Sequence, residues 1–88
     1  MRTVDWKSDN LTYLDILGPA MERETEEQAR EFLEAYVAWI MRRWAATAPA
    51  ARRQALSNIR WWSQHCPTPE DAYRVRKIYG CLAQLKEG

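Results

Sequence analysis

The chain has 88 residues, 47% of them hydrophobic and 28% charged, and its five Trp, four Tyr and one Phe give a high aromatic share. That is one folded domain, residues 1–88, with a moderate core; it is not a disordered chain, and no apolar run approaches the ~20 residues that span a bilayer. The net charge of +1 excludes a strongly basic nucleic-acid footprint overall, but residues 1–34 carry four basic against nine acidic groups (−5) and residues 35–88 carry nine against three (+6).

The N-terminus, Met1-Arg2-Thr3-Val4-Asp5-Trp6-Lys7, has no apolar core of a secretory signal, so the expected compartment is the cytoplasm. Ser8 and Asp9 are candidate caps for a short first helix through Leu11, Leu14, Ile16 and Leu17. Gly18-Pro19 should end it, because glycine suits a C-terminal cap and proline cannot continue the hydrogen-bond ladder. Ala20–Glu24 reads as a connector. Thr25-Glu26-Glu27-Gln28 fits a capping box with acids at the positive end of the helix dipole, and predicts a long helix to about Ala46. Thr47-Ala48-Pro49 breaks the chain and starts a third helix to about His65. Thr68, Pro69 and the acids after them start a fourth, which either stops at Gly80 or runs on through Leu82 and Leu85.

Apolar residues then recur at helical spacing. The second helix shows a broad arc of Ala29, Phe32, Leu33, Tyr36, Val37, Ile40, Met41 and Trp44, with Trp39 at its margin. An arc that wide is contacted by more than one neighbour. Ala51, Ala55, Ile59, Trp62 and Cys66 form the stripe of the third helix; Ala72, Val75, Ile78, Tyr79, Leu82 and Leu85 form that of the fourth. The expected fold is all-α, a small antiparallel bundle of three main helices with a short N-terminal helix across it.

Little in the sequence carries chemistry. His65, Cys66 and Cys81 are too few for a four-ligand zinc site, and neighbouring side chains on a helix do not face each other as a Cys–His pair must. Glu27, Glu31 and Glu34 share one helical face without the histidine that a carboxylate metal site would add, so they read as a solvated face. The three glycines are scattered, and no phosphate-binding loop exists. The expectation is a protein without catalytic, metal or cofactor residues, and not an enzyme.

The adjacent pair Trp61-Trp62 is more informative. Successive helical residues are turned by about 100°, so both rings cannot point into one core. With Trp62 in the stripe, Trp61 lies on the opposite face with Arg53, Ser57, Arg60 and Gln64. A tryptophan between arginines suits a protein interface, where both types are enriched. The competing reading is that the N-terminal segment, through Trp6 or Tyr13, folds over Trp61. The expected partner is another protein or a second copy of the chain, forming a homodimer through the Arg53, Arg60, Trp61, Gln64 face and the α-helical arc edged by Trp39. The alternative is a helix-turn-helix nucleic-acid binder whose fourth helix presents Arg74, Arg76 and Lys77. Glu70 and Asp71 at the start of that helix would repel phosphate.

The stretch Asn58-Ile59-Arg60-Trp61-Trp62-Ser63-Gln64-His65, followed by Arg74-Val75 and Ile78-Tyr79-Gly80-Cys81, resembles a recurrent pattern in short, functionally uncharacterised bacterial and phage proteins. Leu11-Thr12-Tyr13-Leu14 and Thr25-Glu26-Glu27 are similar to their upstream segments, so the likeness covers most of the chain. Those proteins often continue with His-Pro after the cysteine, where this chain has Leu82-Ala83-Gln84-Leu85. The resemblance implies a small accessory protein of a phage or other mobile element and supplies no activity.

Overall fold

Each helix begins where a threonine can satisfy the first free backbone N–H groups. The computed structural model describes residues 3–65 and 68–87, and within them the side chains of all but Tyr13 and residues 81–87. It contains α1 (Tyr13–Met21), α2 (Glu26–Trp44), α3 (Ala48–Gln64) and α4 (Pro69–Glu87), with no strand among the described residues. The fold is the small all-α bundle that the periodicity predicts.

The Thr25, Thr47 and Thr68 caps lie where expected: their hydroxyl oxygens accept from the N–H of Gln28, Ala50 and Asp71 at 3.1, 3.4 and 3.3 Å. Arg42 and Arg43 occupy the last turn of α2, the favoured place for cations. α2 stops at Ala45, which takes the left-handed conformation (φ 52°). The backbone of α4 passes through Gly80 as helix and reaches Glu87, so the glycine does not cap it.

The first helix differs from expectation at both ends. Its cap is Thr12 rather than Ser8 or Asp9. Thr12 Oγ1 accepts from the Asp15 N–H, and the Asp15 carboxylate accepts from the Thr12 N–H at 3.0 Å, a reciprocal box. Gly18-Pro19 lies inside the helix, which closes only at Met21. The proline ring clashes with the Cβ of a preceding helical residue, and Gly18 has none. Only the last turn follows, so the loss of one N–H donor is tolerated.

α2 packs against α3, α4 and α1, and α3 against α4. Arg52, near the start of α3, pairs with Glu34 at 2.7 Å, while Asn58, further along α3, donates to the Tyr36 hydroxyl at 2.8 Å. Leu17, Leu33 and Val75 are completely enclosed, surrounded by Ile16, Phe32, Ile40, Ile59 and Ile78. Ala29, Ala51 and Ala55 are buried too, and such small side chains let α2 and α3 approach closely. Tyr79 of α4 donates its hydroxyl to the Ala20 carbonyl at 3.0 Å and joins the last helix to the first.

What covers the wide arc of α2 on its free side is the non-helical N-terminal segment. Trp6 lies stacked on Tyr36 (5.9 Å, 27°) and edge-on to Phe32 (5.4 Å). Three donors from α2 hold the backbone of that segment: the Trp39 indole N–H on the Ser8 carbonyl (2.8 Å), Arg42 on the Trp6 carbonyl and Arg43 on the Asp9 carbonyl (3.3 Å). The carbonyls of Trp6, Ser8 and Asp9 lie outside any helical ladder, and the arginines and the indole satisfy them instead. Trp39 is only 4% exposed as a result. The expectation that it borders a shared interface is corrected: its neighbour is the chain's own N-terminal strap.

Candidate interaction surface

α3 presents its polar face to solvent as its helical angle requires. Arg53, Ser57, Arg60 and Gln64 are all exposed, and Trp61 stands among them at 49%. Between Ala48 and Thr68 the chain has no acidic residue, so nothing on this helix neutralises Arg53 or Arg60 from within. The competing reading of a covered Trp61 does not hold for Trp6, which is committed to α2. The side chain of Tyr13 lies outside the described residues.

Trp61 is nonetheless a held ring. It stacks on the His65 imidazole (4.1 Å, 16°), and His65 Nδ1 lies 2.8 Å from the Trp61 carbonyl oxygen, so the last turn fixes both rings. Trp62, expected in the core stripe, is only half-buried; its indole N–H contacts the Met21 sulfur at the end of α1. Ser63 occupies the buried position instead, with its hydroxyl donating to the Arg60 carbonyl at 2.7 Å. The whole aromatic pair is therefore rotated outward by part of a turn, since a serine that satisfies itself against its own helix can be buried at small cost. Cys66, the expected last member of that stripe, lies outside the described residues, as does the side chain of Cys81.

The rotation creates a surface that no single helix encodes. Leu14 of α1 is 67% exposed and, with Ser57, Asn58, Trp61 and Trp62, lines an open cleft of about 520 Å³. Leu14 is the member that sequence reasoning missed, because it belongs to the apolar set of α1 and only the helix crossing sets it beside Trp61. α1 is anchored at its far end, where Arg74 donates to the Met21 carbonyl (3.3 Å) and Tyr79 to Ala20. The cleft thus has one wall on α1, one on α3, and polar lining from Ser57 and Asn58.

The residues of the nucleic-acid alternative are not gathered in the same way. Arg76 and Lys77 are exposed on α4, but Arg74 is engaged with the Met21 carbonyl and lies 3.9 Å from Asp71. Asp71 also accepts from the Thr68 hydroxyl at 2.7 Å, which fixes an acid at the start of the would-be reading helix. Among the described residues no three or more of His, Cys, Asp and Glu gather as metal ligands, and no helix is long and apolar enough to cross a membrane. Glu27 and Glu31 face solvent, and Glu34 is held by Arg52. The fold and the surface define a class, a small helical bundle with a solvent-facing aromatic cleft between α1 and α3. Comparison of the chain with family models, curated proteins and solved structures finds no match.

Proposed function

We propose that the chain is a small non-enzymatic interaction module that docks a polypeptide, in the first instance a second copy of itself, in the Leu14–Trp61–Trp62 cleft. The observation that carries this reading is the pair of large apolar side chains, Leu14 and Trp61, exposed side by side in one cleft. Exposed apolar area of this kind on a small domain marks contact surfaces, and Trp with flanking Arg is the commonest hot-spot chemistry. Arg53 and Arg60, exposed on the same helix, then supply positive charge near the cleft rather than in its lining. A near-zero net charge offers little repulsion between two copies. Most of the wide arc of α2 takes no part, because the N-terminal strap and the other helices cover it as far as Ile40; Trp44, at its end, is exposed away from this cleft.

The second reading, nucleic-acid binding, draws on the same Trp61 and arginines, with a base stacked on the indole and phosphates on Arg53 and Arg60. One pair of measurements separates the two. Sedimentation velocity over a concentration series should show a dimer that Leu14→Glu abolishes with its helical circular dichroism unchanged. A gel shift against duplex and single-stranded nucleic acid should show nothing at physiological salt. A shift that survives that salt and disappears in the Arg53→Glu, Arg60→Glu double variant would reverse the assignment.

A further inference from the structure

On the other flank of α1 lies a second cleft, built differently from the first. Its inner walls are core residues, Ile16 of α1 with Tyr36, Trp39 and Ile40 of α2, all buried and therefore fixed in place. Trp44, 61% exposed, stands at the mouth with its ring edge-on to Trp39 at 5.3 Å and 86°. Trp39 cannot swing away, because its indole N–H is held on the Ser8 carbonyl at 2.8 Å. Across the cleft, α3 supplies a line of amides: Gln54 donates to the Asn58 side-chain oxygen and Asn58 to the Tyr36 hydroxyl, both at 2.8 Å. The volume is about 490 Å³, within the roughly 300–1,000 Å³ of small-molecule sites. No charged side chain is among its described lining residues.

We propose that this cleft binds an uncharged, planar aromatic small molecule carrying one hydrogen-bonding group. Three facts select that class. The absence of lining charge leaves an ionic ligand without a counter-ion, so its desolvation would go uncompensated. Three aromatic residues, Tyr36, Trp39 and Trp44, with rings already set at angles to one another, favour a ring over an alkyl chain, since aromatic pairs gain from edge and offset contacts beyond area alone. The Gln54–Asn58–Tyr36 line supplies the few convergent polar groups that orient a ligand on apolar walls. The site is independent of the docking reading. It shares only Asn58 with the Leu14–Trp61 cleft.

Phenylnaphthylamine, an uncharged aromatic probe of a naphthyl and a phenyl group joined by one N–H donor, tests the proposal with the full chain. Its fluorescence should rise in a saturable, one-to-one titration. Ala50 lines the cleft from the first turn of α3, and Ala50→Phe should fill it and weaken binding by about tenfold or more. Gln54→Ala, at an exposed position, should keep the fold intact and weaken binding by about threefold to tenfold. Anilinonaphthalene sulfonate, with the same rings and a negative charge, should bind at least about tenfold more weakly than the neutral probe. The proposal is overturned by the absence of saturable binding, by titrations that neither Ala50→Phe nor Gln54→Ala alters, by equal affinity for the sulfonate, or by tighter binding of a neutral alkyl alcohol. Should Ala50→Phe not fold, Gln54→Ala and the sulfonate comparison decide the matter alone.

Discussion

Trp39 and Trp61 are the same residue type, each set outside the central apolar stripe of its helix, yet one is 4% exposed and the other 49%. The difference is made by the chain that passes outside the helix. Residues 4–9 run across α2 and offer carbonyls that the Trp39 indole, Arg42 and Arg43 take up. On α3, Trp61 stacks on His65 of its own last turn at 4.1 Å and stands tilted against Trp62 at 6.5 Å, while the Trp6 ring is spent on α2. A marginal tryptophan thus becomes core or contact surface according to whether a non-periodic segment has a reason to lie on it.

The sharpest way to break that comparison is to truncate both rings and measure unfolding in urea. Trp39→Ala should cost about 3–5 kcal/mol, the range for a large aromatic removed from a core. Trp61→Ala should stay within about 0.5 kcal/mol, as exposed positions do. Trp6→Ala, which removes the strap's own anchor, should fall between, at about 2 kcal/mol, since Trp6 is only half-buried. Equal costs for Trp39 and Trp61 would place the α3 face in the core and remove the proposed docking surface.

The same contrast explains what could be seen in the sequence. The second, third and fourth helices were legible because Thr25, Thr47 and Thr68 cap them and their apolar residues repeat at 3.6. The exposed row Arg53, Ser57, Arg60, Trp61 and Gln64 was legible for the same reason, being the complement of the Ala51–Ala55–Ile59 stripe. The strap was not legible, since an irregular, turn-containing segment fixed by side-chain donors has no period. Nor was the Thr12–Asp15 box, where Gly18-Pro19 looked like a terminator and the missing glycine Cβ in fact let the helix continue. Leu14 beside Trp61 is a fact of helix crossing, which one helix's pattern does not contain. Trp62 and Ser63 exchange burial by one position because an apolar stripe tolerates a small, self-bonded serine in its place.

A second test concerns what holds the frame of the open surface. Tyr79, buried between α4 and α1, donates to the Ala20 carbonyl, and burial pushes its pKa upward against the lowering influence of the Arg23 charge. An unfolded tyrosine ionises near pH 10. Above that pH the unfolded chain has released a proton that the folded chain still holds, so the folded state loses ground as pH rises. The slope for one group is about 1.4 kcal/mol per pH unit. Thermal melts between about pH 9 and 11 should therefore fall more steeply for the wild type than for Tyr79→Phe, although the variant starts about 1 kcal/mol lower through the loss of this hydrogen bond. Parallel pH profiles would mean that Tyr79 is not held neutral, and that α1 is not anchored through it.

The smallest effects come from two residues that sit in each other's preferred place, one on each side of the comparison. Ala45 ends strapped α2 at φ 52°, a left-handed conformation in which a Cβ crowds the backbone and glycine does not. Gly80 lies inside α4, beside the open face of α3, at ordinary helical angles, and a Cβ built there meets nothing within 4 Å. Ala45→Gly should stabilise by about 0.5 kcal/mol, the relief of strain being partly offset by the greater freedom of glycine in the unfolded chain. Gly80→Ala should stabilise by about 0.5–1 kcal/mol, because alanine restricts the unfolded chain and favours the helix. The two lie on separate elements with no partner in common, so the double variant should gain close to the sum. A loss at Gly80→Ala would mean that α4 does not continue as regular helix past Tyr79, and that the groove between α3 and α4 needs the glycine for a close approach.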